Sequence, residues 1–377
     1  GGWSTMATIS WAWPYAFLMF PLLIAVNVVM ILLNKTNTIN ADLWNVWLKI
    51  FTAVAVVSIT HSVILAFVIA AVQIILELKS SDAHQHRIEK LTGIPGVSVT
   101  HATLFFGAIL YPIALVLRKI PGLNREFDTD MLKDKVGIFA ENHVMGFILG
   151  CLFGILAKYS LAQILTTGIK AAAAMTLFPV VAKYFMQALS PISEAVSAFM
   201  NKKFEGKTLI VGLDWPILGG CNEIWLAILW SIPFMLIYSM VLPGNEILPF
   251  AGLMSASLAL PAFLVTRGNL LQMSILCVIG APVFLWVGTA FAPFMTELAI
   301  ATGSIDLQAG ELISNSLING PVFTYSISHL FMFLKGNFMP LIIFAVWLAG
   351  FVLYYRDLMR EAREDAALEA ANAKAGQ

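Results

Sequence analysis

The sequence predicts an all-α, polytopic membrane protein, and three observations carry that expectation. Of 377 residues, 59% are apolar and only 12% are charged, where soluble domains carry about 25% charged residues. Mean hydropathy is +0.84. The apolar residues also gather into many blocks of roughly 20, the length of helix that crosses a bilayer. Twenty-two basic residues balance 22 acidic ones, so neither a disordered chain nor a nucleic-acid binder working by counterion release fits. An ordinary soluble enzyme is excluded on the same grounds.

The blocks follow in order. Trp11 to Leu33 ends in the polar run Asn34-Lys35-Thr36-Asn37-Thr38. Trp47 to Leu78 is too long for one upright span and is expected to break at Thr60-His61-Ser62. A polar loop is expected from Glu77 to Thr92, then a span from Val97 to Leu117 and a charged loop from Arg118 to Lys135. Ile138 to Ala157 and Leu161 to Leu189 come next, the latter containing Lys170. Ser190 to Gly206 reads as interfacial, with Lys202, Lys203 and Lys207 at its end. The remaining blocks are Ile224 to Leu242, Ile247 to Val265, Leu270 to Ala292, a weaker Phe294 to Ile318, Asn319 to Leu334 and Phe338 to Tyr355. A charged, Ala-rich tail from Arg356 reads as a helix or a frayed end projecting into water. Arg356, Arg360 and Arg363 beside the last span put the C-terminus in the cytoplasm by the positive-inside rule, and the loop 118–135 on the same side.

Cys151, Cys221 and Cys277 are far apart, show no metal-ligand spacing and read as small buried hydrophobes. The sequence offers no reason to expect a metal or cofactor. No nucleotide-binding loop, paired-carboxylate motif or nucleophile elbow is present, so whatever energises transport resides in a gradient or in another chain. The opening lacks a charged region typical of a secretory signal.

An internal repeat organises the chain. Gly2-Trp3, Pro21, a polar break at Asn34, Trp44 and Thr60-His61 run in the same order as Gly212-Leu213-Asp214-Trp215, Pro233, Pro243-Gly244-Asn245, Phe250 and Thr266-Arg267. Both final intervals are 17 residues (61 − 44 and 267 − 250). The expected division is a first repeat over 1–135, a second over 136–355 and a tail over 356–377. Helices precede Gly212 but not Gly2, so the leading part of the first repeat is expected to lie upstream of this sequence. Such repeats are typical of transporters, whose sites lie near the midplane at broken helices.

Ionisable residues in hydrocarbon are expensive and normally face a cavity or a partner, and broken helices free backbone groups that only protein or trapped water can satisfy. Charge beside a break is therefore the site signal. It picks out Asp214 before Pro216, Asn245-Glu246, Arg267 with Asn269, and Glu141-Asn142-His143. His101, before small residues suited to a re-entrant loop, is a further candidate, and Asn319-Gly320-Pro321 marks a similar loop start. Each has a plainer alternative: Asp214 or Glu141 as a helix cap, Arg267 snorkelling to headgroups, the histidines as satisfied interior groups. Lys170 and Glu297 read as structural, and Trp3, Trp11 and Trp13 as an aromatic belt rather than a sugar platform. Amides, carboxylates and imidazoles suit a neutral polyhydroxylated ligand. An anion would ask for more converging Arg and Lys.

The motifs Gly212-Leu213-Asp214, Pro243-Gly244-Asn245, Ile247-Leu248-Pro249-Phe250 and Arg267-Gly268-Asn269-Leu270 resemble those of the galactitol-type enzyme IIC permeases of the phosphoenolpyruvate-dependent phosphotransferase system. So do Asn40-Ala41-Asp42-Leu43-Trp44-Asn45-Val46-Trp47, Lys119-Ile120-Pro121-Gly122-Leu123-Asn124-Arg125 and the segment 137–150. The opening departs from the pattern, reading Gly2-Trp3-Ser4 for Gly-Trp-Pro and Val99-Thr100-His101 for Ile-Pro-His. The resemblance implies a homodimeric permease of the bacterial inner membrane with inverted repeats, broken and re-entrant helices, and a core domain moving against a dimerisation scaffold. It implies uptake of a sugar alcohol, phosphorylated by a separate cytosolic IIB subunit through its phosphocysteine, which IIA recharges. Asp214 or Glu141 would then be the catalytic base, and His101, Asn142, His143, Asn245, Glu246, Arg267, Asn269, Trp44 and Asn45 would contact substrate. The readings of another class are a secondary transporter driven by an ion gradient and a channel or scaffold.

Overall fold

The structure is a computed structural model, and it describes every residue except Gly1, Leu43, 125–136, 204–208, 249–250, 307–309, 314–318 and 376–377. Phe250 of the repeat, Arg125, most of the charged loop that follows it and Lys207 lie outside the described residues, as do the side chains of Trp3, Lys202 and Lys203. The helices are α1 (Gly2–Trp11), α2 (Met19–Leu32), α3 (Val46–Thr60), α4 (Val63–Thr92), α5 (Gly107–Leu117), α6 (Asn142–Leu156), α7 (Leu161–Lys203), α8 (Asn222–Val241), α9 (Ala251–Thr266), α10 (Leu270–Thr302), α11 (Pro321–Ser328) and α12 (Met339–Ala375). Four of them, α4, α8, α10 and α12 as far as Leu368, are long and apolar enough to cross a membrane. The all-α, polytopic class follows from these helices.

Several boundaries differ from the sequence reading, each for a physical reason. Glu77–Thr92 is not a loop: α4 runs straight through it. Its polar side chains range from buried to exposed, and several pair with other elements: Asp82 Oδ1 accepts from Thr36 and Thr38 Oγ1, Glu77 pairs with Lys49 and Arg87 with Asp357, while Lys90 is exposed. The described part of the expected interfacial segment, 190–203, continues α7, a helix of 43 residues. Pro293 does not end α10, which carries both Pro282 and Pro293 inside its 33 residues; a membrane helix tolerates proline where neighbours satisfy the freed carbonyl. The expected opening span Trp11–Leu33 is helical as α2 only from Met19, after a turn and a short 3₁₀ segment, and α1 precedes it.

The expected break at Thr60-His61-Ser62 is present. His61 adopts φ 54°, in the left-handed region, and Ser62 Oγ accepts the N–H of Leu65 to start α4. The repeat predicts a matching event at Arg267, and there Arg267 takes φ 57° while Asn269 Oδ1 accepts the N–H of Gln272 to start α10. Non-glycine residues seldom occupy this region; besides Asn34 and Lys158 it holds the residue that ends each of the two 17-residue intervals. The openings of the two copies do not match: Gly2-Trp3 begins a helix, whereas Gly212-Leu213 lies in a strand.

That strand belongs to a small sheet absent from the sequence reading. β1 (Thr38–Asn40), β2 (Val97–Val99) and β3 (Ile210–Leu213) form a parallel sheet ordered β1-β3-β2. Asn40 pairs with Gly212, and Gly212 in turn with Ser98. The outer edge of β1 is closed by α2, where Asn27 Nδ2 donates to Thr38 O at 2.8 Å and Asn27 Oδ1 accepts the N–H of Asn40 at 2.9 Å. An open strand edge buried in an apolar body would leave unpaired groups, and Asn27 removes that cost. Gly212 lies between its neighbours with no room for a side chain: a Cβ there would sit 2.3 Å from Thr100 Cγ2 and 2.8 Å from Thr38 Cγ2. Gly212→Val should therefore destabilise the protein by about 1–3 kcal/mol or more and abolish any ligand-induced rise in melting temperature. A variant melting like wild type would contradict the tight junction.

Two shorter elements meet behind the sheet. The 3₁₀ segment Ala102–Phe106 leads into α5, and the eight-residue α11 abuts it, with a Gly320 Cβ position 2.5 Å from Ala102 O. Trp347 of α12 is fully buried against both, its Nε1 donating to Phe105 O at 2.9 Å and its ring 4.6 Å from Phe323. The α6–α7 hairpin closes through glycines spaced by four: Gly146, Gly150 and Gly154 face the backbone of Ala171, Thr167 and Ile164, the small-residue packing used where no water drives helices together.

Candidate functional site

The three parallel strands end side by side, and each delivers a polar side chain. Asp42 follows β1, His101 follows β2 and Asp214 follows β3. One ligand-type atom from each of these residues lies within 4.8 Å of the others. Each side chain also starts the helical segment after its strand. Asp42 Oδ1 accepts the N–H of Asn45 at 3.1 Å, His101 Nδ1 that of Thr103 at 3.2 Å, and Asp214 Oδ1 that of Trp215 at 2.7 Å. Capping and site-building are thus the same act here, because a cap residue sits where strand becomes helix. Thr103 Oγ1 also lies 2.7 Å from His101 Nδ1, so Nδ1 either accepts from Thr103 and leaves Nε2–H a donor, or donates to the hydroxyl and leaves Nε2 an acceptor.

A hydrogen-bonded frame holds the cluster. Asn40 Oδ1 accepts from Thr100 Oγ1 and from the N–H of Asp42, both at 2.9 Å. Asn45 Nδ2 donates to Thr100 O at 2.5 Å and to Glu77 Oε2 at 2.9 Å. Glu77 is ion-paired with Lys49, and its Oε1 accepts from Gln73 Nε2 at 3.1 Å. Lys49 and Asn45 are 0% exposed and Glu77 1%, so α3 and α4 carry a buried ion pair directly beside the strand ends.

Of the residues picked out by sequence, Asp214, His101 and Asn45 meet at this junction. Asn45 does so as a bracket between Glu77 and Thr100, and Trp44 beside it is half exposed. Glu141 is the N-cap of α6, with Asn142 and His143 in its first turn, outside the Asp42–His101–Asp214 group. Asn245 and Glu246 lie at the other end of α8, whose 20 residues carry the chain about 30 Å from the Asp214 side. There Asn245 Nδ2 donates to Ser239 O and Ile247 O, and Glu246 N–H to Thr289 Oγ1. Thr289 stands 20 residues along α10 from Asn269, again about 30 Å. A single cradle containing Asn245, Arg267 and Asp214 together is therefore not what the fold assembles.

Arg267 belongs to a charged network at the end of α12. Its guanidinium meets Glu361 at 3.0 Å, and Glu361 also pairs with the buried Arg87, which bonds Asp357 at 3.3 Å. Arg267 is 47% exposed, so Arg267→Ala should cost under about 1 kcal/mol and leave the response to ligand unchanged. A lost thermal shift in that variant would restore Arg267 to the binding site. A cavity of about 480 Å³ lies at this charged end, lined by His86, Lys90 and Asp365.

Asp42, Asn40, Lys49 and Glu77 were not singled out from sequence. Asp42 stands in the Asn40–Trp47 motif that carried part of the resemblance, which was its available signal; Lys49 and Glu77 had none beyond being charges near apolar blocks. Asp42, His101 and Asp214 also have the residue types and spacing that could hold a metal ion.

Apolar helices interrupted around buried carboxylates, an imidazole and amides define a membrane permease for a small polar solute. The family model for PTS system sugar-specific permease components of the EIIC-GAT type matches residues 1–308, and the chain belongs to that family. It is 31% identical over 360 residues to the galactitol-specific EIIC component of Escherichia coli K12, covering 94% of this chain and 79% of the relative. The E. coli O157:H7 galactitol-specific EIIC component matches to the same extent. A further permease IIC component of E. coli K12 is 31% identical over 330 residues, 85% of this chain and 74% of its own. The chain is thus the membrane-embedded permease component of a sugar phosphotransferase system.

Proposed function

We propose that this permease takes up a sugar alcohol, galactitol or a close relative, and presents it to a IIB subunit for phosphorylation. The observation that carries the reading is the convergence of Asp42, His101 and Asp214 at the ends of three parallel strands. Two carboxylates and an imidazole, framed by Asn40 and Asn45, match the donors and acceptors of vicinal hydroxyls and supply no excess of positive charge for an anion. Asp214 is the preferred base over Glu141, since it stands in that group. The substrate hydroxyl oxygen attacks the phosphorus of phosphocysteine on IIB, and a P–O bond forms. The S–P bond breaks with its electrons on sulfur, and the hydroxyl proton passes to the Asp214 carboxylate. IIA then restores the phosphoryl group on IIB. The protein works as a homodimer in the bacterial inner membrane with the tail after Tyr355 in the cytoplasm, a side supported by Arg356, Arg360 and Arg363 through the positive-inside rule.

The test is thermal unfolding of the purified protein against hexitols, pentitols and ascorbate. Ligand binding the folded state raises the melting temperature by mass action, so galactitol or another hexitol should give the largest shift. A response confined to ascorbate, or absent for every polyol, would overturn the substrate class.

A further inference from the structure

Four arginines converge at the charged end of the molecule, from α4, from the ends of α5 and α9, and from α12. Arg87 of α4 donates from Nη1 to Leu264 O at 3.3 Å, and Arg118, just past α5, from Nη2 to Val265 O at 2.6 Å. Both therefore hold the last carbonyls of α9, and Arg267 forms the left-handed turn that follows them. The acids in this group stand on α12 and are divided between bases. Asp357 meets Arg87 at 3.3 Å and Arg360 at 2.7 Å, while Glu361 meets Arg267 at 3.0 Å and also pairs with Arg87. Glu364, exposed to solvent, meets Arg360 at 3.8 Å. Arg118 has no ion-pair partner among the described residues. Arg267 and Arg87 are close enough for their charges to oppose its own, and Asp357, the acid that acts on it, is already shared.

The same corner marks the edge of the apolar surface. Val116 and Ile120, two residues to either side of Arg118, are 60% and 43% exposed, and Leu353 on α12 is 48% exposed. Arg356 and Arg360 follow Leu353 three and seven residues on, along one helix face, and both are exposed. Apolar side chains thus give way to guanidinium groups within one turn on both helices, as at a bilayer headgroup layer.

We propose that this corner binds the phosphodiester headgroup of an anionic phospholipid, with Arg118 and Arg267 as its principal contacts. A guanidinium fork matches two phosphate oxygens, and Arg118 spends one of its five N–H groups on Val265 O. One anion set between Arg118 and Arg267 relieves the repulsion of both, while Val116, Ile120 and Leu353 receive the acyl chains. A zwitterionic headgroup carries its own ammonium and returns the positive charge that the site already has in excess. Basic clusters between helix ends are the usual seats of acidic lipids. The neighbouring cavity at His86 and Lys90 is a poorer seat for an anion, since both bases already bond Asp365 and Glu89 adds a second acid. The bound lipid ties the ends of α5 and α9 to α12, so it stabilises the fold.

The test follows the melting of the full-length protein in a neutral detergent as phosphatidylglycerol, phosphatidylcholine or inorganic phosphate is added. Phosphatidylglycerol should raise the melting temperature saturably, and the other two should leave it unchanged. Arg118→Gln should weaken the apparent affinity for phosphatidylglycerol by about 10–100-fold, the worth of a hydrogen bond to a charged group, and Arg118→Lys should recover part of it. Glu364→Gln removes an exposed acid and should tighten binding, a change that a purely structural role for Arg118 would not produce. It keeps the test decisive should Arg118→Gln fail to fold. Equal shifts with phosphatidylcholine or with phosphate alone, a wild-type response in Arg118→Gln, or unchanged binding in Glu364→Gln would overturn the proposal. The thermal response to polyol should persist in Arg118→Gln, so the lipid site and the substrate reading stand or fall separately.

Discussion

Lys49→Met should unfold the protein more readily than any surface substitution, lowering its stability by about 3–5 kcal/mol. Lys49 and Glu77 pair with both side chains shut away from solvent, at 0% and 1% exposure. The pair contributes little net energy, since removing two charges from water costs about what their attraction returns. Losing one partner is different, because an isolated carboxylate then stays buried. Glu77 would keep only the amide donors from Asn45 and Gln73. Glu77→Gln added to Lys49→Met removes the stranded charge and should recover most of the loss, because the neutral side chain still offers a carbonyl to Asn45. Unfolding midpoints in one detergent for the wild type, the single variant and the double variant make the comparison. A single variant within about 1 kcal/mol of wild type, the range of a surface ion pair, would show that the two groups are not sequestered.

Asp214→Asn should reduce phosphate transfer from IIB to the sugar alcohol by about 10²–10⁴-fold, the usual contribution of a positioned general base. Binding should suffer far less, because the amide keeps the bond to the Trp215 N–H and still presents an acceptor to a hydroxyl. The expected pattern is a nearly normal thermal shift with polyol beside a collapsed rate of product formation. Glu141→Gln is the matched comparison: Glu141 caps α6 outside the strand-end group, and its amide should transfer phosphate at close to the wild-type rate. Equal losses in both variants, or equal activity in both, would remove Asp214 from the chemistry.

The sequence exposed what depends on composition and on local breaks. Membrane-length apolar blocks gave the helical class, and the 17-residue interval led to the two left-handed turns at His61 and Arg267. Asp214 and His101 stood out because charge beside a break is costly in lipid. The parallel sheet stayed hidden, since strands of three or four residues show no alternation and their partners lie far away in sequence. Without the sheet, nothing linked residue 42 to residue 214. Helix ends misled in the other direction: polar side chains over 77–92 read as a loop because their buried partners on other elements are invisible in one dimension. Asn245 and Arg267 were grouped with Asp214 on chemistry alone, and the lengths of α8 and α10 keep them from acting together.

The strand order has a consequence for movement. β3, contributed by the C-terminal part of the chain, lies between two strands from the N-terminal part, so the two portions are interleaved like fingers of clasped hands. They cannot swing apart around a solute lodged at the fingertips without tearing the clasp. Any sliding seam between the two portions must therefore run outside the sheet.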